Sequence, residues 1–225
     1  MYEHYIALDT ETSGIPKSWD DENLKDWPCI IQLAWLVYTP DGKLVKEECH
    51  YLSNPGVKIN PKSEEIHGIS AQILEEQGVD KTTVLQHLFQ DIKKYQALII
   101  AHFAEFDLKL LQIEGERCQL DADLHETPFY CTMINSEDLN NNPARTFPSL
   151  AQLYQSFFGL TLQHQHHALH DSRAVADCFF EIIKIGRFSD ADVKDLKGLS
   201  QERQKTGFGH KLQSALNRLL IFFNL

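Results

Sequence analysis

Short apolar runs come first along the chain, and helical patterns follow them. The runs Tyr5–Asp9 and Ile30–Tyr38 have the length and composition of buried strands. Asp41-Gly42, between the second run and Leu44–Leu52, is typical of a hairpin turn. We therefore expect the chain to begin with a meander of three antiparallel strands.

From Ser63 onward the pattern is mostly helical. Ser149 is a suitable N-cap, and Gly186 is a suitable stop for the last helix of the pattern. The predicted helices are Ala71–Gln77, Thr82–Tyr95, one from Ala104, Ser149–Phe158 and Asp171–Ile185; the later predicted strands are Ala97–Ala101 and Phe129–Thr132; and Asn135–Arg145 is a predicted loop. This order predicts an α/β domain with a mixed five-stranded sheet flanked by helices.

The composition changes after Gly186, which divides the chain into a domain of residues 1–186 and a C-terminal helical extension of residues 187–225. The extension is polar until Lys211 and then amphipathic. Its apolar positions are Leu212, Leu216, Leu219, Leu220, Phe222 and Phe223. We expect this end to dock on the core of the domain; binding to a partner protein is the alternative interpretation.

The overall composition is that of an ordinary globular protein, with 43% hydrophobic residues in 225 positions. A long apolar run is absent and the first strand begins at once, so we expect a cytoplasmic protein without a membrane partner. The net charge of -11 argues against a protein that grips long duplex nucleic acid through a basic surface. The five scattered cysteines, without a CxxC pair, predict free thiols: Cys29, Cys49, Cys118, Cys131 and Cys178.

Four carboxylates stand where folding alone would not place them. Asp9 and Glu11 lie two residues apart at the end of the first strand, so their side chains point to one face. Asp107 and Asp171 each lie on the apolar stripe of a predicted helix. Because inward-facing carboxylates repel one another, the four together predict a cation site, and oxygen ligands favour Mg²⁺ or Mn²⁺.

Four histidines precede or accompany the last of these carboxylates: His164, His166, His167 and His170. A neutral imidazole could remove a proton from an attacking water molecule. We interpret His164 and His170 as solvated loop residues. A zinc site formed by the cluster with Cys131 is a weaker alternative, since its spacing matches no known motif.

Three segments stand out along the chain: ALDTETSG from Ala7, AHFAEFD from Ala101 and HHALHD from His166. Together with the segment IHGI from Ile66, they resemble the DnaQ-like, or DEDDh, family of 3′-to-5′ exonucleases, which includes the proofreading subunit of bacterial DNA polymerase III. The resemblance spans residues 5 to 186 in order.

The resemblance implies an RNase H-like fold and hydrolysis assisted by two Mg²⁺ or Mn²⁺ ions. It implies that Asp9 bridges both ions, that Glu11 and Asp171 complete the first site, and that Asp107 serves the second. His166, five residues before Asp171, would be the general base. The position of His167, where another subfamily has tyrosine, makes it a less favoured base. By the same analogy, the terminal nucleotide would contact Thr10, Thr12, Ile15 and Phe106.

Two features depart from the family pattern. Phe103 stands where the family commonly has asparagine, which affects a contact on the substrate side. The segment Pro16–Pro28 is a longer, acidic insertion that carries Trp19 and Trp27. These tryptophans either stack on bases or anchor the insertion to the core, and the sequence favours neither interpretation.

The leading hypothesis is therefore a metal-dependent exonuclease that releases nucleoside 5′-monophosphates from the 3′ ends of single-stranded DNA or RNA. The alternative is a polymerase-associated binding module that uses the apolar end, Leu212–Leu225, so a DNA polymerase subunit is the second candidate partner. DNA versus RNA, the cellular role and the oligomeric state stay open at this stage.

Overall fold

A computed structural model describes residues 2–16, 26–121, 124–140 and 147–200. Three predicted features lie outside these ranges. They are Trp19, the part of the predicted loop after Asn140, and the apolar end after Lys211. Within the predicted loop, Ile134–Leu139 forms a 3₁₀ helix, so this part of the loop prediction was wrong.

The described residues form six strands: β1 (Tyr5–Thr12), β2 (Ile30–Tyr38), β3 (Leu44–Ser53), β4 (Val79–Asp80), β5 (Leu98–Ala101) and β6 (Phe129–Cys131). They build one mixed sheet in the order β4-β3-β2-β1-β5-β6. Strands β1 to β3 form the predicted antiparallel meander, whereas β5 runs parallel to β1 and β6 parallel to β5.

The predicted count of five strands was therefore wrong by one. The additional strand, β4, has two residues and pairs parallel with Leu52 and Ser53. It follows Gly78, where a Cβ atom would lie 2.2 Å from the Leu74 carbonyl oxygen and 3.0 Å from the Ser53 Cα atom. Glycine permits this close approach, and two residues are too few to show a periodic pattern.

Among the described residues up to Ile185, six α-helices flank the sheet. They are α1 (Pro61–His67), α2 (Ala71–Gln77), α3 (Lys81–Tyr95), α4 (Ala104–Arg117), α5 (Leu150–Phe158) and α6 (Ala168–Lys184). Ser149 caps α5 as predicted, and with Gln152 it forms a capping box. Helix α6 begins at Ala168, three residues before the predicted start at Asp171.

The two faces of the sheet bury separate apolar clusters, and β1 contributes alternate residues to each. Ile6 and Leu8 pack with residues of α3 and α4, whereas Tyr5 and Ala7 pack with residues of α6. Side chains two residues apart on a strand share a face. Continuing the alternation, Asp9 and Glu11 belong to the α6 face of the sheet and Thr10 to the α4 face.

The chain after α6 returns to the sheet. Lys194 pairs with Phe129 of β6 in an isolated antiparallel bridge. Phe188 and Val193 pack on the α6 side, and Leu196 and Leu199 pack on the α4 side. Among the described residues, none of the helices has the length and hydropathy that crossing a membrane requires.

Candidate active site

The first two carboxylates lie at the carboxyl end of β1, where β1 extends past the end of its parallel neighbour β5. Asp9 and Glu11 are partly buried and lie opposite Ala34 and Gln32 of β2. The carboxyl ends of adjacent parallel strands meet at one edge of a sheet, which is where α/β proteins commonly place their sites. The strand pattern that predicted a shared face for the two carboxylates agrees with this geometry.

Asp107 reaches the same edge from the opposite face of the sheet. Helix α4 begins three residues after β5 ends, and Asp107 lies in its first turn with 3% of its surface exposed. The Thr10 hydroxyl donates a hydrogen bond of 2.7 Å to Asp107 Oδ1. Thr10 is thus buried and holds a carboxylate through its side chain.

Asp171 and His166 come from the start of α6. Asp171 lies in the first turn of the helix, 7% exposed, and its Oδ2 accepts the His166 backbone N–H at 2.8 Å. Its other oxygen, Oδ1, is buried and has no hydrogen-bonding partner in the part of the chain that the structure describes. The His166 residue is solvent-exposed. One ligand atom each from Glu11, His166 and Asp171 can be chosen so that all three lie within 4.8 Å of one another.

The electrostatics of the cluster are those of acids packed together. Burial, followed by repulsion from Asp171, Glu11 and Asp107, raises the pKa of Asp9 well above its usual value. Burial and the neighbouring carboxylates raise the pKa of Glu11 to about 8.

The other two carboxylates shift in the same direction. Burial raises the pKa of Asp107 to about 7, although hydrogen bonds from Thr10 oppose the shift. Burial also raises the pKa of Asp171 to about 6, against the hydrogen bond from His166. The folded chain thus holds four acids in positions where ionising all of them without a cation is costly.

These residues fit divalent cations. The unpartnered Asp171 Oδ1 is a buried acceptor that lacks a donor, and a cation would satisfy it. Carboxylate oxygens are hard ligands, which Mg²⁺ and Mn²⁺ prefer. An imidazole nitrogen of His166 lies within 4.8 Å of carboxylate oxygens of Glu11 and Asp171, so the imidazole stands beside the carboxylate group.

The remaining histidines are arranged differently from His166. His167 is the N-cap residue of α6, and its Nε2 lies 3.2 Å from the side-chain nitrogen of Gln32. The rings of His164 and His170 lie 5.0 Å apart between centroids, as do those of His167 and His170. Among the described residues, no group that could hold a metal ion includes these three histidines. Cys131 is buried in the apolar cluster on the α4 face of the sheet.

The residues predicted to contact a nucleotide lie around the first and second motifs. The Thr12 hydroxyl donates to the Gly14 carbonyl oxygen at 2.5 Å, which closes the turn after β1, and Ile15 is partly buried. The rings of Phe103 and Phe106 lie parallel, with 5.8 Å between centroids and 9° between planes. Phe103 adopts a left-handed backbone conformation with φ of 82°.

The structure shows the surroundings of Trp27, one of the two tryptophans of the Pro16–Pro28 insertion. Its side chain is 3% exposed within the cluster on the α4 face, and Lys109 Nζ lies 4.6 Å from its ring centroid. Arg117 of α4 donates hydrogen bonds to the carbonyl oxygens of Trp27 and Pro28. Trp27 therefore anchors the insertion to the core, whereas Trp19 lies outside the described residues.

Two polar residues near the site had no role in the sequence-based prediction. Gln32 is 1% exposed in the otherwise apolar strand β2, and this isolated polar residue was the available signal. His102 lies in the second motif, with Nδ1 3.0 Å from the Thr132 hydroxyl and Nε2 3.2 Å from the Pro148 carbonyl oxygen. Burial lowers the pKa of His102 to about 4, so the ring is a neutral link between β6 and the segment before α5.

Comparison with known proteins agrees with this geometry. Residues 6–179 match the exonuclease family known as RNase_T. Among curated proteins, the chain is 27% identical over 199 residues to the PolC-type DNA polymerase III of Thermotoga petrophila, and 25% identical over 185 residues to that of Staphylococcus saprophyticus. These alignments cover 86% and 80% of this chain but only 13% and 11% of the polymerases.

Solved structures with the same fold are also nucleases. The nuclease domain of 3′hExo, a DEDDh family member bound to rAMP, superimposes with a TM-score of 0.62 at 15% identity, covering 82% of this chain and 94% of that one. Exonuclease I of E. coli in complex with a dT13 oligonucleotide gives a TM-score of 0.65 at 14% identity, covering 81% of this chain and 41% of that one. At these identities the likeness establishes the RNase H-like fold.

Proposed function

The chain belongs to the RNase_T exonuclease family, and from that premise we propose that it hydrolyses the 3′-terminal phosphodiester bond of single-stranded DNA or RNA with the help of two divalent cations. The product would be a nucleoside 5′-monophosphate. The observation that carries this proposal is the gathering of Asp9, Glu11, Asp107 and Asp171 at one sheet edge, with His166 beside Asp171.

Each residue has a part in this reaction. Asp9, Glu11 and Asp171 would hold one Mg²⁺ or Mn²⁺ ion, and Asp9 with Asp107 would hold the second. When bound, the cations stabilise negative charge on the phosphate oxygens. His166 takes a proton from the water molecule whose oxygen attacks phosphorus, while the bond from phosphorus to the 3′ oxygen of the preceding nucleotide breaks.

The protonation state of His166 suits its proposed role as the general base. Partial desolvation lowers its pKa below the usual histidine value, so the ring is neutral at physiological pH and its free nitrogen can accept a proton. His167 is less suitable as the base because its Nε2 lies against the Gln32 amide nitrogen. This contact supports His166 over the alternative that the sequence left open.

Substrate contacts follow from the same placement. Thr12, Ile15 and Phe106 lie in the segments that adjoin the carboxylates, and Thr10 offers its backbone there. Aromatic faces bind bases with little sequence preference, which suits a substrate of varied sequence. The exonuclease I complex contains a dT13 oligonucleotide and the 3′hExo complex contains rAMP, so these relatives support both polymers as candidates.

A time course with 3′- and 5′-labelled single-stranded DNA and RNA tests the proposal, in Mg²⁺, Mn²⁺ or EDTA. We expect stepwise shortening from the 3′ end that EDTA abolishes. Asp9→Ala and Asp107→Ala should each reduce kcat at least about 1,000-fold, because removing one ligand disrupts the charge stabilisation of the transition state. Asp121→Ala, at an exposed position, is the matched control. Near-normal activity of either ligand variant would refute the proposal.

The binding-module alternative is less well supported. The relatives named as PolC-type polymerases make a polymerase the second candidate partner, but the four gathered carboxylates have no evident part in holding another protein. Shortening the chain before Lys211 separates the two hypotheses. The exonuclease hypothesis expects activity to survive, whereas the binding hypothesis expects loss of polymerase association without any activity to lose.

A further inference from the structure

Gln32 is a buried polar residue in a strand whose other residues are apolar or aromatic. It is 1% exposed and lies directly opposite Glu11 in the antiparallel register of β1 and β2. Opposite residues on antiparallel strands project to the same face of the sheet. The Gln32 amide therefore lies beside Glu11, on the face that α6 covers.

Every polar atom of this amide has a partner at the start of α6 or on β3. Gln32 Oε1 accepts the backbone N–H of Ala168 at 3.0 Å. Its Nε2 lies 3.2 Å from His167 Nε2 and donates to Cys49 Sγ at 3.8 Å. Helix α6 receives no side-chain cap from its own N-cap residue, His167. Gln32 thus satisfies an N-terminal N–H of α6 from a distant strand.

The orientation of the amide also fixes the tautomer of His167. Since Oε1 must face the Ala168 N–H, the Gln32 Nε2 is the atom that faces the imidazole, and it can only donate. His167 Nε2 must therefore accept, which puts the ring proton of a neutral His167 on Nδ1. That nitrogen is buried, and no hydrogen-bonding partner for it occurs among the described residues.

The segment just before α6 holds His166 in an unfavourable backbone conformation. His166 has φ of 62° and His164 has φ of 55°, both in the left-handed region that non-glycine residues rarely adopt. Such conformations are unfavourable and persist where surrounding contacts hold them. On one side the His166 N–H binds Asp171 Oδ2, and on the other Gln32 holds His167 and Ala168.

We propose that Gln32 is a positioning residue: by binding His167 and Ala168 against β2, it places His166 and Asp171 beside Glu11. The inference rests on the proposed exonuclease function for its effect on rate. Its structural part, the hydrogen bonding of the Gln32 amide, stands independently. Gln32 itself reacts with nothing, so its loss should move the base without removing it.

Two variants of Gln32 separate positioning from simple packing. Gln32→Leu keeps the bulk and removes both hydrogen bonds to the start of α6, together with the one to Cys49. We expect kcat to fall about 10- to 100-fold while KM for a single-stranded oligonucleotide changes less than about threefold. Gln32→Glu keeps an acceptor for the Ala168 N–H and accepts from His167 in its other tautomer, so it tests the hydrogen bonding of the amide through the tautomer of His167. It also adds a negative charge opposite Glu11, so its kcat does not report positioning alone.

Ser172→Ala is the matched control, because Ser172 makes the other hydrogen bond from α6 to β2. Its hydroxyl donates to the Ala34 carbonyl oxygen at 3.4 Å, about one turn further along α6 than Ala168. If Gln32 only docked the helix, both variants would reduce kcat alike. Equal losses in Gln32→Leu and Ser172→Ala, or a kcat of Gln32→Leu within twofold of wild type, would overturn the proposal.

A spectroscopic measurement on the unaltered protein keeps the inference testable if Gln32→Leu does not fold. Nitrogen-15 NMR of the imidazole rings should show His167 protonated on Nδ1, with the signal assigned by its loss in His167→Ala. Gln32→Glu should move that proton to Nε2. Wild-type His167 protonated on Nε2 would contradict the geometry. The predicted tautomer in a protein without exonuclease activity would refute the proposed function and preserve the structural part.

Discussion

At the scale of single residues, the site depends on side chains that belong to opposite faces of one strand. Asp9 and Glu11 face α6, while Thr10 between them faces α4 and holds Asp107 by a hydrogen bond of 2.7 Å. The positions of the carboxylates could be predicted from a period of two and an inward stripe. The role of the Thr10 side chain could not, because its partner lies 97 residues away.

Replacing Thr10 with valine tests this hydrogen bond. Thr10→Val keeps the shape and removes the donor, so Asp107 loses the group that orients it and opposes the rise of its pKa. We expect the Mg²⁺ concentration for half-maximal activity to rise about 10-fold, as is usual when a residue that orients a metal ligand is removed. Thr39→Val, in the exposed hairpin turn, is the control and should leave this concentration unchanged.

The raised pKa of Glu11 predicts that the stability of the fold depends on pH. Its folded-state pKa of about 8 exceeds its ordinary value of 4.5, so in EDTA the folded state loses stability as pH rises from about 4.5 to 8. Glu11→Gln removes this loss. We expect its Tm to exceed that of wild type by at least about 4 °C at pH 8.5, and by much less at pH 5. Scanning calorimetry at both pH values measures the difference, with Glu65→Gln as an exposed control.

The same variant should respond weakly to metal. At pH 8.5, Mg²⁺ should raise the Tm of wild type because it binds the folded carboxylates and offsets their repulsion. Glu11→Gln has one ligand charge fewer, so its Tm should rise less on the addition of the same Mg²⁺ concentration. An equal rise in both proteins would show that Glu11 is not a ligand.

At the scale of elements, helix starts decide where the chemistry lies. Asp107 and Asp171 both stand in the first turn of a helix, where the positive end of the helix dipole favours an anion. The sequence located both helices, but it placed the start of α6 at Asp171 instead of Ala168. The error has a physical cause. The Ala168 N–H donates to the side chain of Gln32, 136 residues away, and a local sequence pattern cannot indicate such a hydrogen bond.

The N-cap of α5 was predicted correctly from neighbouring residues alone. Ser149 accepts from the Gln152 N–H at 3.3 Å, and the Gln152 side chain accepts from the Ser149 N–H at 2.9 Å. Ser149→Ala should lower the free energy of unfolding by about 1 kcal/mol in urea titrations. Ser156→Ala on the same helix, which removes only a bond to a helix carbonyl, should change it by less than about 0.5 kcal/mol. Activity at 25 °C should survive in both variants.

At the scale of the whole molecule, one buried ion network joins the insertion to both helices of the α4 face. Glu114 is fully buried, with Oε1 2.6 Å from Arg117 Nη1 and Oε2 2.5 Å from Lys81 Nζ. Arg117 also donates to the Trp27 and Pro28 carbonyl oxygens. The insertion therefore returns to the sheet at a point fixed by charge as well as by the burial of Trp27.

Neutralising Glu114 should destabilise the fold strongly. Glu114→Gln leaves Lys81 and Arg117 without their buried counter-ion, and breaking such a pair costs about 3–5 kcal/mol. Urea unfolding at pH 7 measures the change. Glu181→Gln, in a pair with the exposed Lys184, should cost less than about 1 kcal/mol. A loss at Glu114 as small as that at Glu181 would mean that the network is unimportant for stability.

The sequence by itself determined the α/β class, the meander and the identity of the clustered acids, because strand alternation, helical stripes and N-caps are local properties. Tertiary structure decided the sixth strand, the start of α6, the anchoring of Trp27 and the partners of Thr10 and Gln32. These features depend on contacts between residues that are distant along the chain. Their free energies arise from specific hydrogen bonds and close packing, which appear only once the sheet brings the segments together.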